Sequence, residues 1–195
     1  MKKILIPTIC ILLSVLLIAT VPTEAEAAIY HDTVRLHILA PSDSREDQTL
    51  KLEIRDRVLE KYGEKLSHFE NVNTVKNEIN KVIGEIERDC EAWICELGYE
   101  YSVSAELTEE WYGTREYSNF TLPAGQYTSL KIVLGEGEGQ NWWCVMYPPL
   151  CLDAALGKPD TAYSEEETAL ISKSGYKVKF KLLEVVTTVF DGFRE

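Results

Sequence analysis

A cysteine thiol beside a histidine makes a nucleophile and its base, and Cys144 with His31, His37 or His68 supplies the ingredients of such a pair. A second cysteine, Cys151, follows across Pro148-Pro149. In an oxidising compartment, thiols so placed more commonly pair with each other than act as nucleophiles. Gly135-Glu-Gly-Glu-Gly139 has the glycine density of a phosphate-cradling loop. Such loops offer bare N–H groups at a helix start, whereas here two carboxylates intrude and a strand pattern follows, so the run reads as a turn. The histidines and cysteines show no short zinc spacing, and the acids form no glycine-anchored calcium loop. Glu109-Glu110 and Glu165-Glu166-Glu167 read as solvated faces. No catalytic group, metal, cofactor or small-molecule substrate is expected. Recognition remains, carried by the adjacent Trp142 and Trp143. Their indoles can stack on sugars, as in a secreted cell-wall glycan-binding module, or anchor a protein interface. Alternatively they straddle a sheet, one packing on helices and the other covering the far face, because strand neighbours point oppositely.

The elements that would position these residues begin after a leader. Met1-Lys2-Lys3 precedes an apolar run from Ile4 to Val21 and the small-residue stretch Glu24-Ala25-Glu26-Ala27-Ala28. That is the layout of a secretory signal peptide, residues 1–27, cleaved after Ala27; an uncleaved anchor is the alternative. Residues 28–195 then form a single domain large enough to bury a core. The charge stays at −12 without the leader, since Lys2 and Lys3 leave together with Glu24 and Glu26. So acidic a domain, with no basic stripe, is not expected to bind nucleic acid.

Four cysteines remain after the leader, Cys90, Cys95, Cys144 and Cys151. Cys90 and Cys95 lie five apart on a predicted helix, about 140° around its axis, and cannot bridge if the helix is intact. Cys144 and Cys151 flank a bend that can fold back on itself, and their bridge is the preferred pairing. The alternative is that all four are buried small hydrophobes.

The periodicity predicts an α+β fold, mainly antiparallel sheet packed by two long helices, with a short C-terminal helix. Thr33 to Ala40 alternates as a strand, with Val34, Leu36 and Ile38 on one face and Arg35, His37 and Leu39 on the other. Ser44 with Asp47 has capping-box form and opens a helix from about Arg45 to Leu66. Asp47, Lys51 and Arg55 fall inside its apolar arc, which a simple amphipathic helix does not explain. They are either an ion-pair ladder whose stems cover apolar surface or a polar cluster with Arg35 and His37 forming a binding face. A second helix spans about Thr74 to Leu97 and stops at Gly98. Tyr99 to Leu107 and Gln126 to Leu134 read as strands, with a weaker strand from Trp111 to Phe120. Gly135 to Asn141 reads as a hairpin loop, and Trp142 to Tyr147 as the returning strand. Residues 157–175 form a flexible polar segment, followed by a strand from Tyr176 to Lys181 and a helix from Leu182 to Phe193.

The run Arg35-Leu-His-Ile-Leu-Ala-Pro-Ser-Asp-Ser44, with Glu46-Asp-Gln48, Leu50-Lys51 and Arg55-Asp56, is followed by Leu122-Pro-Ala-Gly-Gln-Tyr127 and the block Gly135 to Cys151. In this order the motifs resemble the stage II sporulation protein R family, Asn-Trp-Trp-Cys to Pro-Pro-Leu-Cys being the most specific part. Pro41 departs from the family pattern, where Asn is expected. The resemblance implies a secreted, non-enzymatic signal of endospore formation. It would be made in the forespore and exported to the intermembrane space between forespore and mother cell. There it would trigger the membrane-embedded, sigma-E-processing aspartic peptidase of the mother-cell septal membrane, which matures pro-sigma-E. The family pattern assigns no contact residues. Exposed-polar and aromatic reasoning selects Arg35, His37, Lys51, Arg55, Trp142 and Trp143 for partner binding.

Overall fold

The computed structural model describes residues 6, 7, 10, 14, 23–117, 120–148 and 163–171. Strand β1, Val34–Leu39, organises them. Val34, Leu36 and Ile38 are fully buried on one face, each stabilising by about 1.5–3 kcal/mol relative to exposure. That gain settles which face of β1 meets the long helices, and Arg35 and His37 must take the other. Helix α1, Glu24–Asp32, precedes β1. Its start is a reciprocal box: Glu26 N–H donates to the Thr23 hydroxyl (3.3 Å) and Thr23 N–H donates to the Glu26 carboxylate (2.6 Å).

Helix α2, Arg45–Val58, runs through a π-helical turn, Leu59–Gly63, into the short α3, Glu64–Ser67, close to the single helix expected. The predicted cap is present, since Ser44 Oγ accepts from Asp47 N–H (3.1 Å). The reciprocal arm takes a detour. Ser42 Oγ donates to the Asp47 carboxylate (2.5 Å) and accepts from Ser44 N–H (3.1 Å), so Ser42 relays the acid to the N-cap backbone. Helix α4, Val72–Glu96, is capped by Asn71, whose side chain accepts from Asn73 and Thr74, and ends before Gly98 at φ +86°. Tyr62 in the π-helical turn donates to Asp89 of α4, which also receives Lys61 (2.5 Å). Burial alone would raise the Asp89 carboxyl, but these two donors outweigh it and hold it low.

Because α4 is helical through Cys95, Cys90 and Cys95 cannot meet, and both are free thiols. Cys90 is buried; desolvation, reinforced by Asp89, Glu87 and Glu91, pushes its thiol up to about 12. Cys95 is exposed. In native protein, iodoacetamide is therefore expected to label Cys95 and to reach Cys90 only on unfolding, as read by mass spectrometry of the labelled peptides. Labelling of Cys90 at a comparable native rate would contradict this packing.

The remaining strands are β2, Val103–Tyr112, β3, Arg115–Glu116, β4, Thr121–Leu122, β5, Gly125–Leu134, and β6, Asn141–Tyr147. A short helix α5, Glu165–Ile171, lies within the segment expected as a polar excursion. The main sheet has the order β2-β5-β1-β6, with β1 and β5 parallel and the other pairs antiparallel; β3 and β4 pair separately. This is an α+β fold with a mostly antiparallel sheet. One face packs on α2 and α4 through Leu50, Ile54, Val75, Ile79 and Ile86. The other carries a second core, where Ile29 of α1 and Tyr163 and Ile171 at α5 meet Tyr112, Tyr127 and Val145.

The sheet order corrects the hairpin expected at Gly135 to Asn141. Strands β5 and β6 do not pair, because β1 lies between them. The loop crosses the end of β1, two strand spacings or about 10 Å, a distance its six-odd residues reach easily. The signal-peptide span 1–27 falls mostly outside the described residues, and so do Cys151, the predicted strand Tyr176–Lys181 and the helix Leu182–Phe193. Among the described residues no helix is long and apolar enough to cross a membrane.

Candidate functional site

The glycine loop and the entry to α2 lock together. Gly135 (φ +59°) and Gly137 (φ +67°) take left-handed conformations that favour glycine. The N–H groups of Gly135, Gly137 and Gly139 donate to the carbonyls of Ser102 (2.8 Å), Leu134 (3.2 Å) and Ala40 (2.9 Å). With those donors satisfied internally, the loop is a turn and offers no phosphate cradle. Gln140 N–H donates to the Asp43 carboxylate (2.7 Å), and its carbonyl accepts from Lys51 Nζ (2.8 Å), which also donates to Gln48 (2.6 Å). Gln48 in turn donates to the Ser42 carbonyl (2.9 Å). This explains the polar stripe inside the apolar arc of α2. Asp47 and Lys51 are buried because they bind the α2 entry and the loop, not because they form a ladder reaching water. Burial lowers the Lys51 ammonium, Asp43 opposes this and Arg55 adds to it.

Of the six residues selected for partner binding, the sheet separates two sets of three. Lys51, Arg55 and Trp142 lie on the helix side, with Arg55 over the Trp142 ring at 4.4 Å. Arg35, His37 and Trp143 lie on the far side. The single cluster of Lys51 and Arg55 with Arg35 and His37 therefore does not form. The cause is the alternation already visible in β1, where the apolar face must meet α2. Arg35, His37 and Lys51 are buried, while Arg55, Trp142 and Trp143 are partly exposed. The two indoles straddle the sheet, one on the helix-side core and one over the far face.

The far-side set is a polar network that sequence reasoning saw only in part. His37 Nδ1 faces the Glu110 carboxylate (2.9 Å), Nε2 faces Asn141 Oδ1 (2.9 Å), and the imidazole stacks on Trp143 at 5.7 Å. Arg115 sits over the same indole at 4.2 Å. Tyr112 donates to Glu110 (3.1 Å), leaving the Ser129 hydroxyl to donate to Tyr112 (2.7 Å). Arg35 is 0 % exposed. Its guanidinium lies 3.9 Å from the Tyr112 ring centroid and 5.1 Å from that of Tyr127, and Nη2 donates to the Tyr117 hydroxyl (2.7 Å). Among the described residues, Nε and Nη1 have no hydrogen-bond partner. Burial raises the phenols of Tyr112, Tyr117 and Tyr127, so they stay neutral; Tyr112 and Tyr127 compensate the charge through their π faces and Tyr117 through its hydroxyl oxygen. Glu110, read from the sequence as part of a solvated face, is instead bound by His37 and Tyr112, and Tyr112, Tyr117 and Tyr127 were missed because they are distant from β1 in sequence. The one available signal was the polar side of β1, which needed polar or aromatic neighbours.

Cys144 pairs in register with Leu36, and His37 points to the opposite face, so these two cannot act as nucleophile and base. His31 is engaged with its neighbour Asp32 (2.6 Å). Among the described residues, no three His, Cys, Asp or Glu side chains gather as metal ligands.

The interlocked elements, β1 with the α2 entry and the glycine loop with β6, are the segments that carried the family resemblance. Residues 30–156 match the pattern of the stage II sporulation protein R family. Over 155 residues the chain is 37 % identical to the stage II sporulation protein R of Bacillus subtilis (strain 168), covering 79 % of this chain and 66 % of that relative. No solved structure matches. With the family pattern spanning the strands, both long helices and the glycine loop, this chain belongs to the stage II sporulation protein R family.

Proposed function

We propose that this protein is an exported, non-enzymatic signal of endospore formation that triggers a membrane-embedded aspartic peptidase of the mother cell to process pro-sigma-E. The observation that carries the reading is the interlock itself. Two of the segments that carry the family resemblance, the α2 entry and the glycine loop, are spent on one another, through Lys51, Asp43, Gly139 and Gln140, in building a rigid surface. A receptor with two states responds only to a ligand that binds one state better, and a rigid surface loses little entropy on binding. Arg55 and Trp142 are the accessible contacts on the helix side, which Lys51 holds in shape, and Trp143 is the accessible contact on the far side, backed by His37 and Arg35. A Cys144–Cys151 bridge belongs to the same reading, supported by the free-thiol state of Cys10, Cys90 and Cys95. The glycan-binding alternative is disfavoured by the stacking of Arg55 on Trp142 and of Arg115 and His37 on Trp143, since a sugar platform needs a bare indole face.

The test is co-expression of the exported protein with the peptidase and pro-sigma-E in a heterologous cell. Removal of the pro-sequence only when all three are present is the expected result. Persistence of intact pro-sigma-E despite correct export of the signal would sink the reading.

A further inference from the structure

Among the described residues, β2 and β6 form the two edges of the main sheet. On β2, the Glu87 carboxylate accepts the N–H of Ala105 (2.8 Å), so this N–H points away from β5. By the two-residue period of a strand, Leu107, Glu109 and Trp111 also turn their N–H and C=O groups outward. Among the described residues no backbone group pairs with these three on that side. An open edge is a template for another strand, and natural sheets commonly blunt it. Here Glu87 blunts one end only.

We propose that the β2 edge from Leu107 to Trp111 takes up an extended, basic segment of the partner by strand addition, an inference that rests on the signalling reading above. The chemistry of the edge selects the occupant. β2 carries Glu106, Glu109 and Glu110 and no cation, and Glu116 of β3 is exposed nearby in sequence. Glu110 is taken up by His37 (2.9 Å) and Tyr112 (3.1 Å) and Lys131 reaches Glu106 only at 3.7 Å, so the acidity of the edge rests on the exposed Glu106 and Glu109. A second copy pairing antiparallel along this edge would set carboxylates against carboxylates, and like charges directly opposite destabilise a pair. A strand bearing Lys or Arg is attracted instead. Trp111, 51 % exposed at the end of the edge, offers an apolar anchor beside the backbone groups. Main-chain hydrogen bonds then supply affinity and the alternating side chains supply selectivity.

Two variants test this in the co-expression assay. Glu109→Pro removes one outward N–H and leaves the ladder to β5 intact, since proline is tolerated where a strand N–H faces solvent. The double variant Glu106→Lys/Glu109→Lys keeps the backbone and reverses the charge. Each is expected to slow pro-sigma-E processing by about tenfold or more with only a small loss of Tm, since each gives up the acceptor of the Thr128 hydroxyl (2.6 Å). If the proline variant loses more Tm than this, the double-lysine variant decides. Amide exchange at Leu107, Glu109 and Trp111 is expected to slow when detergent-solubilised peptidase is added to the wild-type protein. Wild-type activity with wild-type rates in the deciding variant, or unchanged exchange at these amides, overturns strand addition and leaves the signalling role standing. An inactive wild type removes the signalling role and this inference with it.

Discussion

Gly139→Ala is expected to destabilise the domain by about 3 kcal/mol or more, a large share of the ~5–15 kcal/mol that holds an ordinary domain together. A Cβ at this position would lie 2.2 Å from the Ser42 carbonyl oxygen and 2.5 Å from its carbon, with Ala40 Cβ at 3.0 Å. Two of these atoms are backbone and cannot rotate away. Relief requires the α2 entry to separate from the loop, which breaks the hydrogen bonds from Gly139 to Ala40, Gln140 to Asp43 and Lys51 to Gln140 together. Gly98→Ala is the control. Gly98 has φ +86° but nothing within 4 Å of an added Cβ, so only the left-handed strain of about 1–2 kcal/mol applies. Urea unfolding followed by tryptophan fluorescence separates the two. A Gly139→Ala midpoint as close to wild type as that of Gly98→Ala would mean that the interlock contributes nothing.

The second large effect is a contrast at Arg35. Arg35→Ala leaves a cavity among Tyr112, Tyr127 and Tyr117 and should cost about 2–5 kcal/mol. Arg35→Met fills most of that volume and removes a buried charge that, among the described residues, lacks an anionic hydrogen-bond partner. Such replacements are commonly neutral or stabilising by about 1–4 kcal/mol, so the methionine variant should match or exceed wild type in urea. The two outcomes separate shape from charge. If methionine is as damaging as alanine, the guanidinium itself is required, and its Nε and Nη1 donors must be met by an acceptor in solution.

The elements were largely legible because their signals are local. The Ser44 cap, the Gly98 stop and the alternation of β1 each depend on residues within one or two turns of chain. The neighbours of β1 were not legible. Nothing in Val34 to Leu39 says that β5 lies on one side in parallel and β6 on the other, because strand order is set by packing across the whole domain. For the same reason the glycine run resembled a hairpin loop, since its residues suit a reversal whether or not the flanking strands pair. The candidate site was half legible. The stripe Asp47, Lys51 and Arg55 was visible as an anomaly, but the distant partner of Lys51 is a backbone carbonyl, that of Gln140, and carbonyls leave no mark in a sequence. Placing Arg35 and His37 with that stripe overlooked a constraint already present in β1, whose apolar face had to be the one against α2.

Helix α1 winds through the Ala27–Ala28 bond, where the leader is expected to be removed, and its next turn buries Ile29 against the tyrosine core. Peptidases take their substrates in extended form. This bond is therefore open to cutting only while α1 is unwound, before the far-side core closes over Ile29. If a leader is removed at this bond, its removal and the completion of the fold compete for one stretch of chain. Substitutions in the interior near Ile29, which slow the closing of that core, would then raise the fraction of cut molecules.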